Sequence, residues 1–231
     1  MKGLLQRVSS DKALLVCAVL AMLWVLLAVF APFLAPYDPE AVQMGERLQG
    51  VSAAHWMGTD SLGRDECSRI LYGARVTFSI AFLGVGITAC FGIFIGAAIA
   101  LLGGRAELFG TAVLDFFLAF PNRIFMIALL GVLGQSIVSV ILALALTTWS
   151  EYARIARTLV RAEREKGYVR YAPFAGADFF RVLMRYILPN ALPQLLLFLC
   201  QHISEVILLV AGLSLIGIGV PPPSPEWGTL L

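Results

Sequence analysis

Between Arg75 and Arg105 the chain reads VTFSIAFLGVGITACFGIFIGAAIALLGG (residues 76–104), 29 positions without one Asp, Glu, Lys or Arg. A helix of about 20 apolar residues crosses a bilayer core of about 30 Å, so this run is long enough to span a membrane. Its glycines, Gly84, Gly86, Gly92 and Gly96, suit close helix packing, with Gly92 and Gly96 at small-xxx-small spacing. Two further runs are equally free of charge: 25 residues between Lys12 and Asp38, and 27 between Arg123 and Glu151.

The whole chain has the same character. Of its 231 residues, 59% are hydrophobic and 14% charged, against about 25% charged in an ordinary soluble domain. So little charge cannot cover a soluble surface, which excludes a soluble enzyme, a disordered chain and a nucleic-acid binder. From Thr111 to Trp149 are 39 residues, about 58 Å of helix and twice a membrane's thickness. Gly131 and Gly134-Gln135-Ser136 supply the turn chemistry to fold it back, giving spans near 112–133 and 137–155. A last stretch, Ala191 to Val220, is interrupted only by Glu205. The expectation is an all-α, polytopic transmembrane helix bundle of five spans. The first apolar run exceeds the 7–15 residues of a signal-peptide core, so it reads as an uncleaved span.

The net charge of +2 hides an uneven distribution. Lys2, Arg7 and Lys12 precede the first span, Arg105 follows the second, and eight basic residues lie between Glu151 and Asn190. Segment 36–75 holds four, offset by Asp38, Glu40, Glu46, Asp60, Asp65 and Glu66. Basic loops stay inside, so the amino terminus is expected in the cytoplasm. The expected organisation is residues 1–35 as cytoplasmic tail and first span, 36–75 as external segment, and 76–231 as membrane core with a cytoplasmic loop over about 156–190. Cys17, Cys90 and Cys200 fall in spans and only Cys67 is external, so no disulfide framework is implied. No phosphate loop, HExxH or GxSxG occurs, and no catalytic residues and no metal site are assigned.

The 156–190 loop is the most informative segment. Trp149 takes an interfacial position, Tyr152 to Glu165 continues a helix into water, and Gly167 stops it. Pro173 suits the first turn of a new helix, followed by Phe174, Gly176, Phe179, Phe180 and Leu183. A short helix with exposed aromatics fits either a groove on a soluble partner or the lipid surface. Pro189 and Pro193 are expected to break the helix before the last span.

The placement of Gly176 ahead of Leu188-Pro189 resembles the "EAA" loop of ABC importer permeases. Further pieces resemble the peptide, nickel and opine branch of that family: Ala35-Pro36-Tyr37-Asp38-Pro39, His55-Trp56-Met57-Gly58-Thr59-Asp60, Leu62-Gly63-Arg64-Asp65, Ser68-Arg69, Tyr72-Gly73-Ala74-Arg75 and Pro222 through Gly228. They cover almost the whole chain in the family's order. Gly103-Gly104-Arg105, Ala119-Phe120-Pro121, Leu130 through Gly134, Trp149 through Arg154 and Val210-Ala211-Gly212 lean towards nickel-type members. The resemblance implies the type I ABC importer permease fold in a bacterial inner membrane. It implies a second homologous permease, two cytoplasmic ABC ATPases that bind ATP and Mg, and an external solute-binding protein as partners. No cofactor belongs to this chain itself. The ATPase-coupling element falls on Arg170, Tyr171, Ala172, Pro173, Gly176, Ala177 and Asp178, as a helix over about 173–180. Two departures stand out. Arg170 reverses the acidic charge that usually opens the loop, and the family's sixth span is expected beyond Leu231, so the chain reads as one helix short.

For the translocation path, Gln201, His202 and Glu205 are the candidates, with His202 and Glu205 three apart and expected on one face; interhelical hydrogen bonding is the structural alternative. Two ligands do not make a nickel site. Asp115 suits a cap or interfacial ion pair, Arg123 an interfacial or interior position, and His55 a solvated loop, a binding-protein contact or a metal. The function implied is the membrane path for nickel, a nickel chelate or a di- or oligopeptide. An inactive truncated permease or scaffold, and a stand-alone secondary transporter, are the other readings.

Overall fold

The computed structural model describes residues 12–231. The expected cytoplasmic tail, with Lys2 and Arg7, lies outside these residues. Among the described residues the chain is helical without a β-strand, apart from an isolated bridge between Thr59 and Asp65. In chain order the main helices are α1 (Lys12–Leu34), α2 (Glu66–Leu102), α3 (Gly104–Ala119), α4 (Asn122–Leu133), α5 (Ile137–Arg164), α6 (Gly167–Tyr171), α7 (Phe179–Arg181) and α8 (Leu188–Leu215). The described residues divide into two compact units: Ile80–Val210, and residues 12–79 together with Ala211–Leu231.

Three helical stretches are long and apolar enough to cross a membrane among the described residues: Leu15–Leu34, Glu66–Leu102 and Val182–Leu215. A fourth counts if α3 and α4 are one broken span. Where a span is expected near 112–133, the structure has two helices meeting at 78°. Pro121 forces the bend. The residue before a proline is driven out of the helical region, and Phe120 sits at ψ 139 accordingly. The turn to α5 comes at Gly134, whose φ of 78° is costly for any side chain-bearing residue; Gly131 stays inside α4. Ser136 then caps α5, accepting from the Ser139 N–H at 3.0 Å. The second half of α5 carries Arg154, Arg157, Arg161 and Arg164, and α5 does not qualify as a span by composition.

In the Ile80–Val210 unit, α2 packs on α5 through its glycines. A Cβ on Gly92 would lie 2.5 Å from the Trp149 carbonyl oxygen, and one on Gly96 would collide with the carbonyl of Ala153. A Cβ on Gly84 would stand 3.0 Å from the Leu144 side chain, whereas one on Gly86 would meet nothing within 4 Å, so Gly86 is not a packing position. Trp149 lies between the rings of Phe91 and Phe117.

The break expected at Pro189 and Pro193 is absent. The chain winds from α7 through a π-helical stretch, Val182–Ile187, straight into α8. A proline lacks an N–H and its ring crowds the carbonyl four residues back. The wider π turn just before Pro189 accommodates this without ending the helix.

In the other unit, segment 36–65 is held against the start of α2. Asp65 caps α2, accepting from the Ser68 N–H at 2.8 Å and the Ser68 hydroxyl at 2.7 Å. The Tyr37 N–H reaches the same hydroxyl at 3.1 Å, and Arg69 donates to the Pro39 carbonyl at 3.3 Å. The chain after α8 returns to the same helix. Glu226, fully buried, accepts from the Thr77 hydroxyl at 3.0 Å and the Gly228 N–H at 2.8 Å. The Trp227 indole donates to the Ile70 carbonyl at 3.2 Å and meets Trp24 and Phe78 edge-on.

Candidate functional site

The 156–190 loop forms a packed corner with an aromatic tip. Val169, Ala172, Val182, Leu183 and Ile187 form one apolar cluster with Ala97 and Ala100 of α2 and Val160 of α5. Glu163 ties the base: it lies 2.5 Å from the Lys166 ammonium and accepts from the Tyr168 hydroxyl at 2.6 Å. Those two hydrogen bonds hold the Glu163 carboxyl below its usual range, and the same contact raises Lys166. Tyr168 also accepts from Asn190 at 2.9 Å. The expected continuous helix over 173–180 is corrected. Residues Ala172–Ala175 form a single 3-10 turn, Gly176 reverses the chain at φ 81°, and helix resumes only at Phe179. The left-handed conformation of Gly176 ends any helix reaching it.

Around that reversal the large side chains face outward. Phe174 is 86% exposed, and Tyr171 and Phe180 are also exposed. A Cβ on Gly176 would meet nothing within 4 Å, so the space beside it is open. Asp178 caps the returning helix, accepting from the Arg181 N–H at 2.8 Å, while Arg170 and Asp178 are exposed and Ala177 is half-buried against the apolar cluster.

The second candidate group separates. His202 is 6% exposed, with Nδ1 2.5 Å from the Tyr152 hydroxyl and Nε2 3.5 Å from the Glu151 carboxylate. Phe198 stacks on the His202 ring at 5.7 Å. Asn122, at the first turn of α4, donates to the other Glu151 oxygen. Gln201 and Glu205, by contrast, are exposed, with Gln201 Nε2 3.5 Å from Glu205 Oε1. His202 and Glu205 thus do not share a face. Three residues advance a helix by 300°, an offset of about 60°, enough to put one inside and one outside. Sequence reasoning did not find Tyr152, Glu151 or Asn122, which meet only through contacts 50 and 29 residues apart.

His55 is corrected from solvated loop to buried centre. It is 4% exposed, with Nδ1 2.9 Å from Asp65 and Nε2 3.3 Å from Glu46. Carboxylates on both nitrogens favour the doubly protonated ring, so the hydrogen bond to Asp65, helped by Glu46, raises its pKa. Burial pushes Asp65 up, but hydrogen bonds from Ser68 and His55 outweigh it and the net shift is downward. Asp60 behaves alike, with Arg64 donating at 2.7 Å. Asp115 makes an exposed ion pair with Arg154 at 3.2 Å, and Arg123 is exposed. Among the described residues no group of three His, Cys, Asp or Glu side chains is placed to hold a metal ion.

Long apolar helices, a helix pair bent at a proline, and a basic loop with an exposed aromatic tip define a helical membrane protein. Residues 90–231 match the family model described as "Binding-protein-dependent transport system inner membrane component", and residues 1–50 match "N-terminal TM domain of oligopeptide transport permease C". The chain is 36% identical over 219 residues to the nickel transport system permease protein NikC of Escherichia coli (strain K12), covering 95% of this chain and 78% of that protein. It is 36% identical over 214 residues to the probable D,D-dipeptide transport system permease protein DdpC of the same strain, covering 93% and 72%. It is 35% identical over 223 residues to the glutathione transport system permease protein GsiD of Pectobacterium atrosepticum, covering 93% and 73%. The chain belongs to the ABC importer permease family, whose members are inner-membrane components that work with ATPase and binding-protein partners and are not themselves the ATPase.

Proposed function

We propose that this chain, with a second homologous permease, forms the membrane path of an importer driven by two cytoplasmic ABC ATPases and fed by an external solute-binding protein. In this reading five helices cross the membrane, α3–α4 as one broken span and α5 as another, with the amino terminus in the cytoplasm. The solute is nickel or a nickel chelate, with a di- or oligopeptide as the competing substrate; the nickel and D,D-dipeptide relatives are equally similar to the chain. The ATPase grips Arg170, Tyr171, Ala172, Pro173, Gly176, Ala177 and Asp178. The observation that carries this is the loop tip: outward-facing Tyr171, Phe174 and Phe180 around a reversed Gly176, on a corner anchored by its own apolar cluster. Rigid packing beneath an exposed apolar tip is what transmission of a docking force requires. Glu205, exposed on an apolar helix, costs roughly 2.5–3.5 kcal/mol against lipid, so this face is read as lining the path or meeting the second permease, with Gln201 beside it and His202 fixing α8 from within.

The test is ATP-driven uptake of nickel and of dipeptide by vesicles holding the complete transporter. Gly176→Asn keeps the left-handed backbone that Asn tolerates but fills the open space; Gly176→Leu adds backbone strain as well. Both are expected to abolish uptake and ATPase pull-down while membrane insertion is unchanged. Normal uptake by both variants overturns the coupling assignment. Unchanged uptake in Glu205→Leu removes Glu205 from the path.

A further inference from the structure

A cavity of about 670 Å³ opens where the apolar part of α2 ends, in the Ile80–Val210 unit. Its lining combines apolar side chains, Leu101, Val169, Ala177 and Val182, with the arginines Arg161, Arg164 and Arg170, and Glu107 and Glu165 are also present. The balance of these charges decides what the cavity can hold. Glu107 is already engaged, 3.0 Å from Arg157 and 3.5 Å from Arg161. Glu165 is 3.9 Å from Arg161 and mostly exposed. Arg161 is thus matched by carboxylates, whereas Arg164 and Arg170 are not. Arg164 Nη1 donates to the Ala100 carbonyl at 2.7 Å, capping the end of α2. Its guanidinium lies over Gly103, where a Cβ would stand only 3.1 Å away. One of its five donors is used in this way, and a guanidinium fork with free donors is shaped for phosphate oxygens. The Arg170 side chain makes no ion pair or hydrogen bond among the described residues.

The site's position adds the second constraint. Leu101 belongs to the last turn of a stretch long and apolar enough to span a bilayer, and the arginines stand on the charged final turns of α5 and on α6. The cavity thus lies where the charge-free run 76–104 ends and the arginines begin, the change in composition expected where hydrocarbon gives way to headgroups. Apolar side chains together with unmatched guanidinium groups at that boundary fit a ligand with acyl chains and a phosphate.

We propose that this cavity binds the phosphate of an anionic phospholipid, held by Arg164 and Arg170 with its glycerol and first acyl carbons along Leu101 and Val182. The site does not include the exposed rings of Tyr171, Phe174 and Phe180 but shares Arg170 and Ala177 with the ATPase-coupling set, so lipid bound there braces the corner that α6 forms with the ends of α2 and α5. It does not depend on the nature of the solute.

Native mass spectrometry of the full chain, released from detergent containing equal phosphatidylglycerol and phosphatidylcholine, tests this. Phosphatidylglycerol is expected to be retained preferentially. Each basic residue near an anionic lipid contributes about a fivefold change in affinity. Arg170→Gln is therefore expected to lower retention about fivefold and Arg164→Gln/Arg170→Gln roughly 25-fold, with Arg170→Lys close to the parent. Circular dichroism showing unchanged helix content separates loss of the site from loss of the fold, and Arg170→Gln, on an exposed position, keeps the test open if Arg164→Gln unfolds. Equal retention of the two lipids, or undiminished retention in folded Arg170→Gln, overturns the proposal. Displacement of the lipid by millimolar glycerol 1-phosphate also overturns it, showing a site for free phosphate instead.

Discussion

Gly96 and Gly86 lie on one helix, ten residues apart, and the structure assigns opposite outcomes to the same substitution at each. Gly→Ala in a helix interior removes backbone entropy cost and is worth about 1 kcal/mol in favour of the folded state. At Gly86 nothing lies within 4 Å of the new Cβ, so that gain is unopposed. At Gly96 the Cβ meets the backbone carbonyl of Ala153. A carbonyl in the middle of α5 cannot swing aside as a side-chain end can, so the two helices must separate. Overpacking of this kind costs about 1–3 kcal/mol, and a clash with backbone falls at the upper end. Against the propensity gain, Gly96→Ala is expected to destabilise by about 2 kcal/mol. At about 2–4 °C per kcal/mol for a chain of this size, the midpoint drops by roughly 4–8 °C. Gly86→Ala should hold or raise it by a few degrees. The assay is intrinsic tryptophan fluorescence during a thermal ramp in detergent at one scan rate. Trp149, between Phe91 and Phe117 on the packed face, contributes to this signal together with Trp24, Trp56 and Trp227. Equal midpoints for the two variants would refute the claim that α2 and α5 pack through Gly96.

Glu226→Ala should cost about 2–5 kcal/mol, because it strands the buried Thr77 hydroxyl and the Gly228 N–H; a guanidinium chloride midpoint within error of the parent counts against this. For segment 36–65, the sign follows from His55. Its raised pKa means that the stabilisation is fully present below its ordinary value of 6.5 and is lost as pH rises through the raised value. Proteolytic cleavage within 40–64 should therefore accelerate as pH rises above 6.5, with His55→Asn flattening the profile, and a parent rate independent of pH contradicts it. Asp65 works the other way: its lowered pKa gives stabilisation present above 3.8 and lost as pH falls through the depressed value. Tyr152→Phe should destabilise by about 1–3 kcal/mol by leaving the buried His202 Nδ1 without its hydrogen-bond partner, seen as a lowered thermal midpoint; an unchanged midpoint counts against this.

Much of the architecture was readable because membrane helices announce themselves by absence of charge. The run between Arg75 and Arg105 became most of α2, and Gly134-Gln135-Ser136 became the turn before α5. Pro121 was visible too, but its effect was not foreseen. A proline marks a bend only when the flanking residues lack other reasons to stay helical, and Pro189 and Pro193 show the opposite outcome within the same chain. His202 and Glu205 stand out as path candidates because they are ionisable inside an apolar stretch, with the polar Gln201 beside them. Spacing alone could not say that His202 turns inward to Tyr152 while Glu205 turns outward, because an offset of about 60° straddles the edge of a buried face.

By itself the sequence determined that this is a helical membrane chain, where most of its helices lie, and which family its motifs resemble. These are local properties: hydropathy over a span and residues at fixed short spacings. Only the tertiary structure decided which charges are neutralised and which remain available. Asp65 and Glu46 are matched by His55 and Glu107 by Arg157 and Arg161, while Glu226 takes hydrogen bonds from the neutral Thr77 hydroxyl and Gly228 N–H, 149 and 2 residues away in the chain. The field of a charge falls off with distance in space and not along the chain, so the sum that leaves Arg170 and Glu205 unmatched could be taken only once the helices were in place.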